Sequence, residues 1–143
     1  MATTRETLIE WLRDAHAMEQ QAIEMLENQA SRIENYPDMR ERVRAHLEES
    51  KSQAERVERC IEQLDGDTSM VKEGVAKFMG NVATLTNTAA GDEVVKSGIA
   101  DYAFEHFEIA SYRALVGAAE ELGEEEIRQT CEEILQEEQR MAD

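Results

Sequence analysis

The sequence predicts an all-α protein in which four long helices form one bundle. The chain has 143 residues, the size of one domain, and 41% of them are hydrophobic, which is enough for a packed core. It contains one proline and seven glycines, so residues that interrupt helices are sparse. Between these residues, apolar side chains recur at intervals of three and four, which is the helical period. We therefore expect residues 1–143 to form a single helical domain.

The first two predicted helices make a hairpin. The first covers about residues 4–34, with Thr3 or Thr4 as the N-cap, and it ends before an Asn-Tyr-Pro sequence. The proline of that sequence, Pro37, suits the first turn of a second helix over about 37–64. The positions expected to face the core are Leu8, Leu12, Ala15, Ala22, Leu26 and Ile33 in the first helix, and Val43, Leu47, Ser50, Ala54, Val57, Ile61 and Leu64 in the second.

The last two predicted helices make a second hairpin. One covers about residues 92–122 and is closed by Gly123; the other covers about 124–141. The last helix opens with three glutamates, which suit the positive end of a helix dipole. The apolar positions are Ile99, Tyr102, Phe104, Leu115 and Ala118 in the third helix, and Ile127, Cys131, Ile134 and Leu135 in the fourth.

The connection between the two hairpins is far longer than a helix turn needs. Residues 67–91 lie between them, and we expect a short helix over about 69–85 within this stretch. Two tight hairpins joined by one long crossover make the ferritin-like variant of the four-helix bundle. The sequence therefore predicts this variant, and not an up-down-up-down bundle with short loops throughout.

The charge of the chain excludes several classes of partner. It has 32 Asp and Glu against 15 Lys and Arg, for a net charge of -17. Such a surface repels nucleic-acid phosphates and anionic lipids, so we expect no nucleic-acid partner and no membrane partner. No signal peptide or membrane-spanning stretch is apparent, which predicts a cytoplasmic protein in which Cys60 and Cys131 are free thiols.

The basic residues are 11 arginines and only 4 lysines, beside 25 glutamates. This balance is typical of halophilic proteins, whose acidic surfaces are screened by molar salt. A Glu-rich helical protein from another environment is the alternative.

Three glutamates interrupt faces that are otherwise apolar. Glu19 lies four residues after Ala15, on the inward face of the first helix, and Glu108 lies four residues before Tyr112. Glu138 likewise follows an inward position of the last helix by four residues. An unpaired carboxylate in a bundle core is unfavourable by several kcal/mol unless it takes up a proton or a cation.

The spacing places four glutamates at one level of the bundle. Glu19 and Glu49 are equally far from the first predicted turn, and Glu108 and Glu138 are equally far from Gly123. Each lies about 22 Å from its turn, at about 1.5 Å per residue. One offset relates the two pairs (108 − 19 = 89 and 138 − 49 = 89), which suggests a pseudo-twofold repeat.

Three further residues precede these glutamates by one helical turn. His16 and Glu105 are related by the same offset and stand three residues before Glu19 and Glu108, and His46 stands three before Glu49. A mixed shell of carboxylates and imidazoles suits iron or manganese, and bridging carboxylates hold two ions about 3.5–4 Å apart. We therefore predict two irons per chain, or manganese. The predicted metal ligands are Glu19, Glu49, Glu108, Glu138, His46, Glu105 and His16.

Four segments of this sequence resemble those of a known family. They are Leu-Arg-Asp-Ala-His-Ala-Met-Glu at 12–19, His-Leu-Glu-Glu-Ser at 46–50 with Gln53 and Glu58, Glu-His-Phe-Glu-Ile-Ala-Ser-Tyr at 105–112, and the Glu-Glu pair at 137–138. Together they resemble the YciE/YciF-type ferritin-like proteins of bacteria and archaea. The resemblance implies a bundle related to rubrerythrin and ferritin, a homodimer, a di-metal centre and an association with stress responses.

The sequence departs from the usual di-iron pattern, in which two helices each carry Glu-x-x-His. Here no Glu-x-x-His occurs, and the histidines precede the glutamates. The predicted ligands and the family resemblance are compatible with two classes of function. One is an oxidoreductase that uses the metals to reduce O2 or peroxide. The other is a non-catalytic, stress-induced binding or structural bundle whose metal site is structural or vacant.

Overall fold

The structure is a computed structural model that describes residues 3–64 and 93–143, and within these ranges it contains four α-helices and no β-strand. The fold class is confirmed, and every helix end that lies inside the described ranges is within two residues of the expected position. For the third helix this comparison covers only its carboxyl end, because its first described residue, Glu93, is also the first residue of the described range. The short helix predicted over 69–85 lies outside the described residues. The helices are α1 (Arg5–Arg32), α2 (Pro37–Gln63), α3 (Glu93–Leu122) and α4 (Glu125–Ala142).

The helices form two antiparallel hairpins that pack side by side. α1 packs along α2 and α3 along α4, while α1 also contacts α3 and α2 contacts α4. The Thr3 hydroxyl donates to Glu121 at 2.6 Å, so α1 begins where α3 ends. At the other end, the Gln29 amide donates to Asp101 at 2.7 Å. Because α1 and α3 are antiparallel, α2 ends at the opposite end of the bundle from the start of α3, as a ferritin-like crossover requires.

The apolar core is divided into two clusters along the bundle axis. The larger cluster contains Leu8, Leu12, Val57, Tyr112 and Ile134, and the smaller contains Leu26, Val43 and Leu47 near the first turn. Fully buried polar residues occupy the level between them: Glu19, Ser50, Gln53, Glu108 and Glu138. The bundle therefore encloses a polar layer between two apolar regions.

The helix ends show why these boundaries were predictable. The Thr4 hydroxyl accepts a hydrogen bond from the amide of Thr7 at 3.2 Å, as an N-cap does. At the end of α3, Gly123 adopts φ 72°, and its amide donates to the carbonyl of Glu120. The next amide, of Glu124, donates to the carbonyl of Ala119, which completes a Schellman motif.

Ile99 and Tyr102, two of the apolar positions of the third helix, do not face the core. Their side chains are 66% and 60% exposed, and α3 packs instead through Tyr112, Leu115 and Ala119. The apolar residues of α3 are spread around the helix, so periodicity alone could not orient it.

Both cysteines are buried free thiols, Cys60 in α2 and Cys131 in α4. Among the described helices, none has an apolar stretch long enough to cross a bilayer.

The Schellman turn provides a test of the second hairpin. We expect Gly123→Ala to lower the free energy of unfolding by about 1 kcal/mol, because an alanine at positive φ is strained. Gly117→Ala is the matched control, since a Cβ at this position in α3 has no atom within 4 Å. The control should raise stability by about 0.5–1 kcal/mol. Urea denaturation measures both changes, and a Gly123→Ala protein as stable as the wild type would contradict the turn geometry.

Candidate metal centre

Three of the predicted ligands meet inside the bundle. His46 of α2, Glu108 of α3 and Glu138 of α4 present ligand atoms that all lie within 4.8 Å of one another. Both glutamates are fully buried, and the His46 side chain is 13% exposed. Atoms this close can contact one ion after small side-chain movements, because metal–ligand bonds of these residues are about 2.0–2.2 Å long. We call these three residues the central triad.

A fourth buried carboxylate comes from α1. One oxygen of Glu19 accepts a hydrogen bond from the Tyr112 hydroxyl at 2.6 Å, and its other oxygen is buried without a hydrogen-bond partner. The charge of Glu19 raises the pKa of Glu108, and the charge of Glu138 raises the pKa of Glu19. Glu19 therefore lies close to the central triad. All four helices therefore contribute to the polar layer.

The carboxylates of the central triad lack partners when they are ionised. All four oxygens of Glu108 and Glu138 are buried without a hydrogen bond. If Glu108 holds a proton, the two carboxyls can hydrogen-bond to each other, and this contact raises the pKa of Glu108. Burial is the larger effect, and it raises the pKa values of Glu19 and Glu108 well above the ordinary range. Protons or a cation must therefore compensate the buried charge.

His46 and Glu105 form the half-buried flank of the centre. The Nδ1 atom of His46 lies 3.7 Å from a Glu105 oxygen, and its Nε2 atom is buried without a partner. Burial lowers the pKa of His46 to about 4, so the imidazole is neutral near pH 7, which is the metal-binding form. Burial and the charges of Glu138 and Asp101 raise the pKa of Glu105 to about 7.

The other two predicted ligands, Glu49 and His16, are not among the residues that meet in the triad. Glu49 is half-buried at the rim, where burial and the charges of Glu137 and Glu138 raise its pKa. His16 is buried, but it lines a groove with Glu58, whose charge acts on it. Metal binding by these two residues stays a prediction.

A polar network beside the centre was found only in the structure. Arg56 donates to Glu137 at 2.6 Å, and the amide of Gln53 donates to the same oxygen at 3.0 Å. Burial raises the pKa of Glu137, but these hydrogen bonds outweigh it and the pKa is lowered. Before the structure, only the family resemblance pointed to Gln53. Its position seven residues after His46 does place both residues on one helical face. Nothing in the spacing identified Arg56.

The raised pKa values predict a pH dependence for the metal-free protein. We expect the thermal midpoint to rise by a few degrees as the pH falls from 8 to 6.5. Buried carboxyls such as Glu105 bind protons in the folded state that the unfolded chain does not bind. Their contribution to stability is complete below the unfolded pKa, 4.5, and is lost as the pH rises through the folded value, about 7 for Glu105. His46 has the opposite effect on stability, because the unfolded chain binds a proton at this residue below pH 6.5 and the folded chain does so only near pH 4. The measurement therefore stays at pH 6.5 and above.

The variants for this test are Glu105→Gln and, as a matched control on the exposed side of α3, Glu120→Gln. Scanning calorimetry at several pH values should show a smaller pH dependence for Glu105→Gln and an unchanged one for the control. A wild-type midpoint that is constant or falls over this range would show that the buried carboxyls stay ionised.

Comparison with known proteins identifies the family of this chain. A family model described as a domain of unknown function, DUF892, matches residues 3–143. A solved structure from Xanthomonas campestris pv. campestris is 46% identical, with a TM-score of 0.79, and the match covers 96% of this chain and 84% of that one.

Two further structures are similar over almost the whole chain. The Escherichia coli stress protein YciF is 25% identical, with a TM-score of 0.74 and coverage of 99% and 91%. YcfI of Rhodopseudomonas palustris, for which a structural role has been proposed, is 28% identical, with a TM-score of 0.71 and coverage of 97% and 90%. The chain therefore belongs to the DUF892 family, the YciE/YciF-type ferritin-like proteins.

Proposed function

We propose that this protein is a stress-associated ferritin-like protein whose polar layer holds two iron or manganese ions, and that the loaded centre reduces O2 or peroxide. The observation that carries the proposal is the central triad. Its four carboxylate oxygens are buried without partners, and a neutral imidazole nitrogen, also without a partner, stands beside them. This donor set suits iron and manganese better than zinc or calcium.

The residues around the triad have distinct parts in this function. Glu108 and Glu138 come from neighbouring helices and would supply carboxylate oxygens to the ions, and His46 would supply one nitrogen. Tyr112 holds Glu19 in place through its hydroxyl. Glu105, with a pKa of about 7, can accept or release a proton at the edge of the centre. When bound, the ions would supply electrons to O2 or peroxide by passing from the +2 to the +3 state, and an external electron donor would return them to +2.

The alternative is a non-catalytic bundle, in which the site holds a structural metal or none. Carboxyls with raised pKa values can share protons, so the polar layer tolerates the absence of metal near neutral pH. The structural role proposed for YcfI also favours this alternative. Turnover of O2 or peroxide by metal-loaded protein separates the two functions, because only the first proposal expects it.

Metal analysis tests the centre directly. We expect elemental mass spectrometry to find about two irons or manganeses per chain in protein purified without chelator. Glu138→Gln and His46→Ala should lose most of this metal, because each removes a ligand of the central triad. Glu120→Gln should retain it.

One result would contradict the proposed set of metal ligands. If Glu19→Ala and Glu138→Ala both keep the wild-type metal content, the ligand set is wrong. Metal-free Glu138→Gln should remain folded, because the change removes a buried charge without altering volume. Loss of metal from this variant is therefore not explained by unfolding.

We also propose that the protein is a cytoplasmic homodimer, and that a second copy covers the exposed apolar side of α3. Ile99 and Tyr102 lie on this side, next to the exposed small residues Ala103 and Ala110. Two chains of net charge -17 repel each other, so an uncharged surface is where a second copy meets the least repulsion.

Sedimentation velocity tests this contact. We expect the wild type to be a dimer and Ile99→Glu to be a monomer, since the substitution buries a charge in the interface. Tyr36→Glu is the matched control, because Tyr36 is similarly exposed but lies at the first turn. A monomeric wild type, or a dimeric Ile99→Glu protein, would contradict the proposal.

A further inference from the structure

The two cysteines of the chain lie in different hairpins, and neither belongs to the metal centre. Cys60 is three residues before the end of α2, Cys131 is in α4, and both are free thiols. They are 3% and 0% exposed, and both belong to the larger apolar cluster. Each cysteine therefore occupies an inward position of its own helix, in the same region of the core.

Hydrogen bonds between α2 and α4 show how these helices are aligned. The Gln53 amide donates to Glu137 at 3.0 Å, and the Gln63 amide donates to Glu126 at 3.4 Å. Ten residues of α2 (63 − 53 = 10) thus run antiparallel to eleven residues of α4 (137 − 126 = 11). The alignment between these two contacts can be read residue by residue, because the rise per residue is constant.

This alignment places the two cysteines at one level of the interface. The residues of α4 opposite Cys60 are 129–130, so Cys131 is displaced by one or two residues, or at most about 3 Å along the axis. Two effects agree with this placement. The side chain of Thr130 interacts with the Cys60 thiol and partly opposes the rise in its pKa, and the charge of Cys60 raises the pKa of Cys131.

Inward residues at one level of two packed helices are close enough for a disulfide. Helix axes lie about 8–10 Å apart and each Cα atom lies about 2.3 Å from its axis, so facing Cα atoms are roughly 3.5–5.5 Å apart. An axial displacement of about 3 Å lengthens this separation to roughly 4.6–6.3 Å. A disulfide spans Cα separations of about 4.4–6.8 Å, so the packing of α2 against α4 suits this bond.

We propose that Cys60 and Cys131 are a site of reversible oxidation, at which hydrogen peroxide converts the two thiols into a disulfide between the hairpins. The Cys60 sulfur attacks peroxide and the O–O bond breaks, which leaves a sulfenic acid on Cys60 and releases one water. The Cys131 sulfur then attacks the sulfenic sulfur, the S–S bond forms, and the oxygen leaves as a second water. Two electrons pass from the thiols to peroxide, and a dithiol reductant returns them.

The surroundings of the two thiols assign their order of reaction. Burial raises the pKa of Cys131 to about 12, so this thiol is almost never ionised near pH 7. Burial also raises the pKa of Cys60, but the charges of Arg56 and Arg59 oppose the rise. Because the thiolate is the nucleophile, Cys60 reacts with peroxide first and Cys131 resolves the sulfenic acid. The reaction needs no metal, so it is independent of the proposed function.

Intact mass spectrometry of the wild-type chain tests the reaction. The protein is treated with peroxide in the presence of a chelator, and is then unfolded with an alkylating agent. We expect each chain to lose two hydrogens, to carry no alkyl group, and to remain a single chain on a gel without reductant. Dithiothreitol should restore two thiols that can be alkylated.

The matched variants Cys60→Ser and Cys131→Ser test the order of reaction. Neither should form a bridge within the chain. Dimedone, which labels sulfenic acids, should react with peroxide-treated Cys131→Ser about tenfold faster or more than with Cys60→Ser. Equal labelling rates would overturn the assigned order. The bridge itself is measured on the wild type, so that result does not depend on the folding of the variants.

The oxidised protein should also be more stable. The bridge closes a loop of 71 residues (131 − 60 = 71), which restricts the unfolded chain. We expect the thermal midpoint of the oxidised wild type to rise by about 5–10 °C, and that of either serine variant to show no such rise after the same treatment.

Four results would overturn the proposal. They are two alkylated thiols after peroxide treatment of the folded protein, a bridge that forms only in urea, a bridge between two chains, and an oxidised protein that is no more stable than the reduced one. The second result would show that the folded chain holds the sulfurs apart. The last would show that the bridge strains the packing of α2 against α4.

Discussion

The buried carboxylates of the polar layer are the constraint on which the rest of this structure depends. Glu19, Glu108 and Glu138 are fully buried at one level, and the last two form no hydrogen bond as ionised groups within the described residues. Charges of one sign in a bundle core repel each other and lose their hydration, each at a cost of several kcal/mol. The fold tolerates this because apolar clusters lie above and below the layer. The same packing buries the carboxylate oxygens, so protons or cations must compensate their charge.

The structure also shows how the layer is held in shape. Tyr112 donates to Glu19 and so joins α3 to α1, while Arg56 and Gln53 hold Glu137 and join α2 to α4. Each of these hydrogen bonds crosses between the two hairpins, where the helices have fewer contacts than within a hairpin. Side chains beside the layer therefore fix the distance between its carboxylates. Positioning of this kind is what a bound metal requires, since outer hydrogen bonds set the geometry of the ligands.

The fold was predictable because its signals are local. Thr4, Pro37 and Gly123 set helix ends through capping, ring geometry and positive φ, none of which depends on the other helices. The level of the buried glutamates was also predictable, since the rise per residue is constant and the hairpin turns fix the register. The orientation of α3 about its own axis was predictable only in part. Glu108 is buried as expected, but apolar residues surround that helix, and only its neighbours determine that Ile99 and Tyr102 are exposed. Arg56 was missed for a related reason: a long side chain on a partly exposed face reveals no partner until the facing helix is in place.

The pseudo-twofold repeat is exact in sequence spacing but unequal in environment. Glu19 and Glu108 are related by the repeat and are both fully buried, whereas Glu49 is half-buried and its counterpart Glu138 is fully buried. His46 corresponds to Leu135, which packs against the larger apolar cluster. The only imidazole of the central triad therefore lies on one side, toward the smaller cluster. The two sides of the layer therefore offer a metal different donors, because a symmetric spacing of helices does not impose symmetric chemistry.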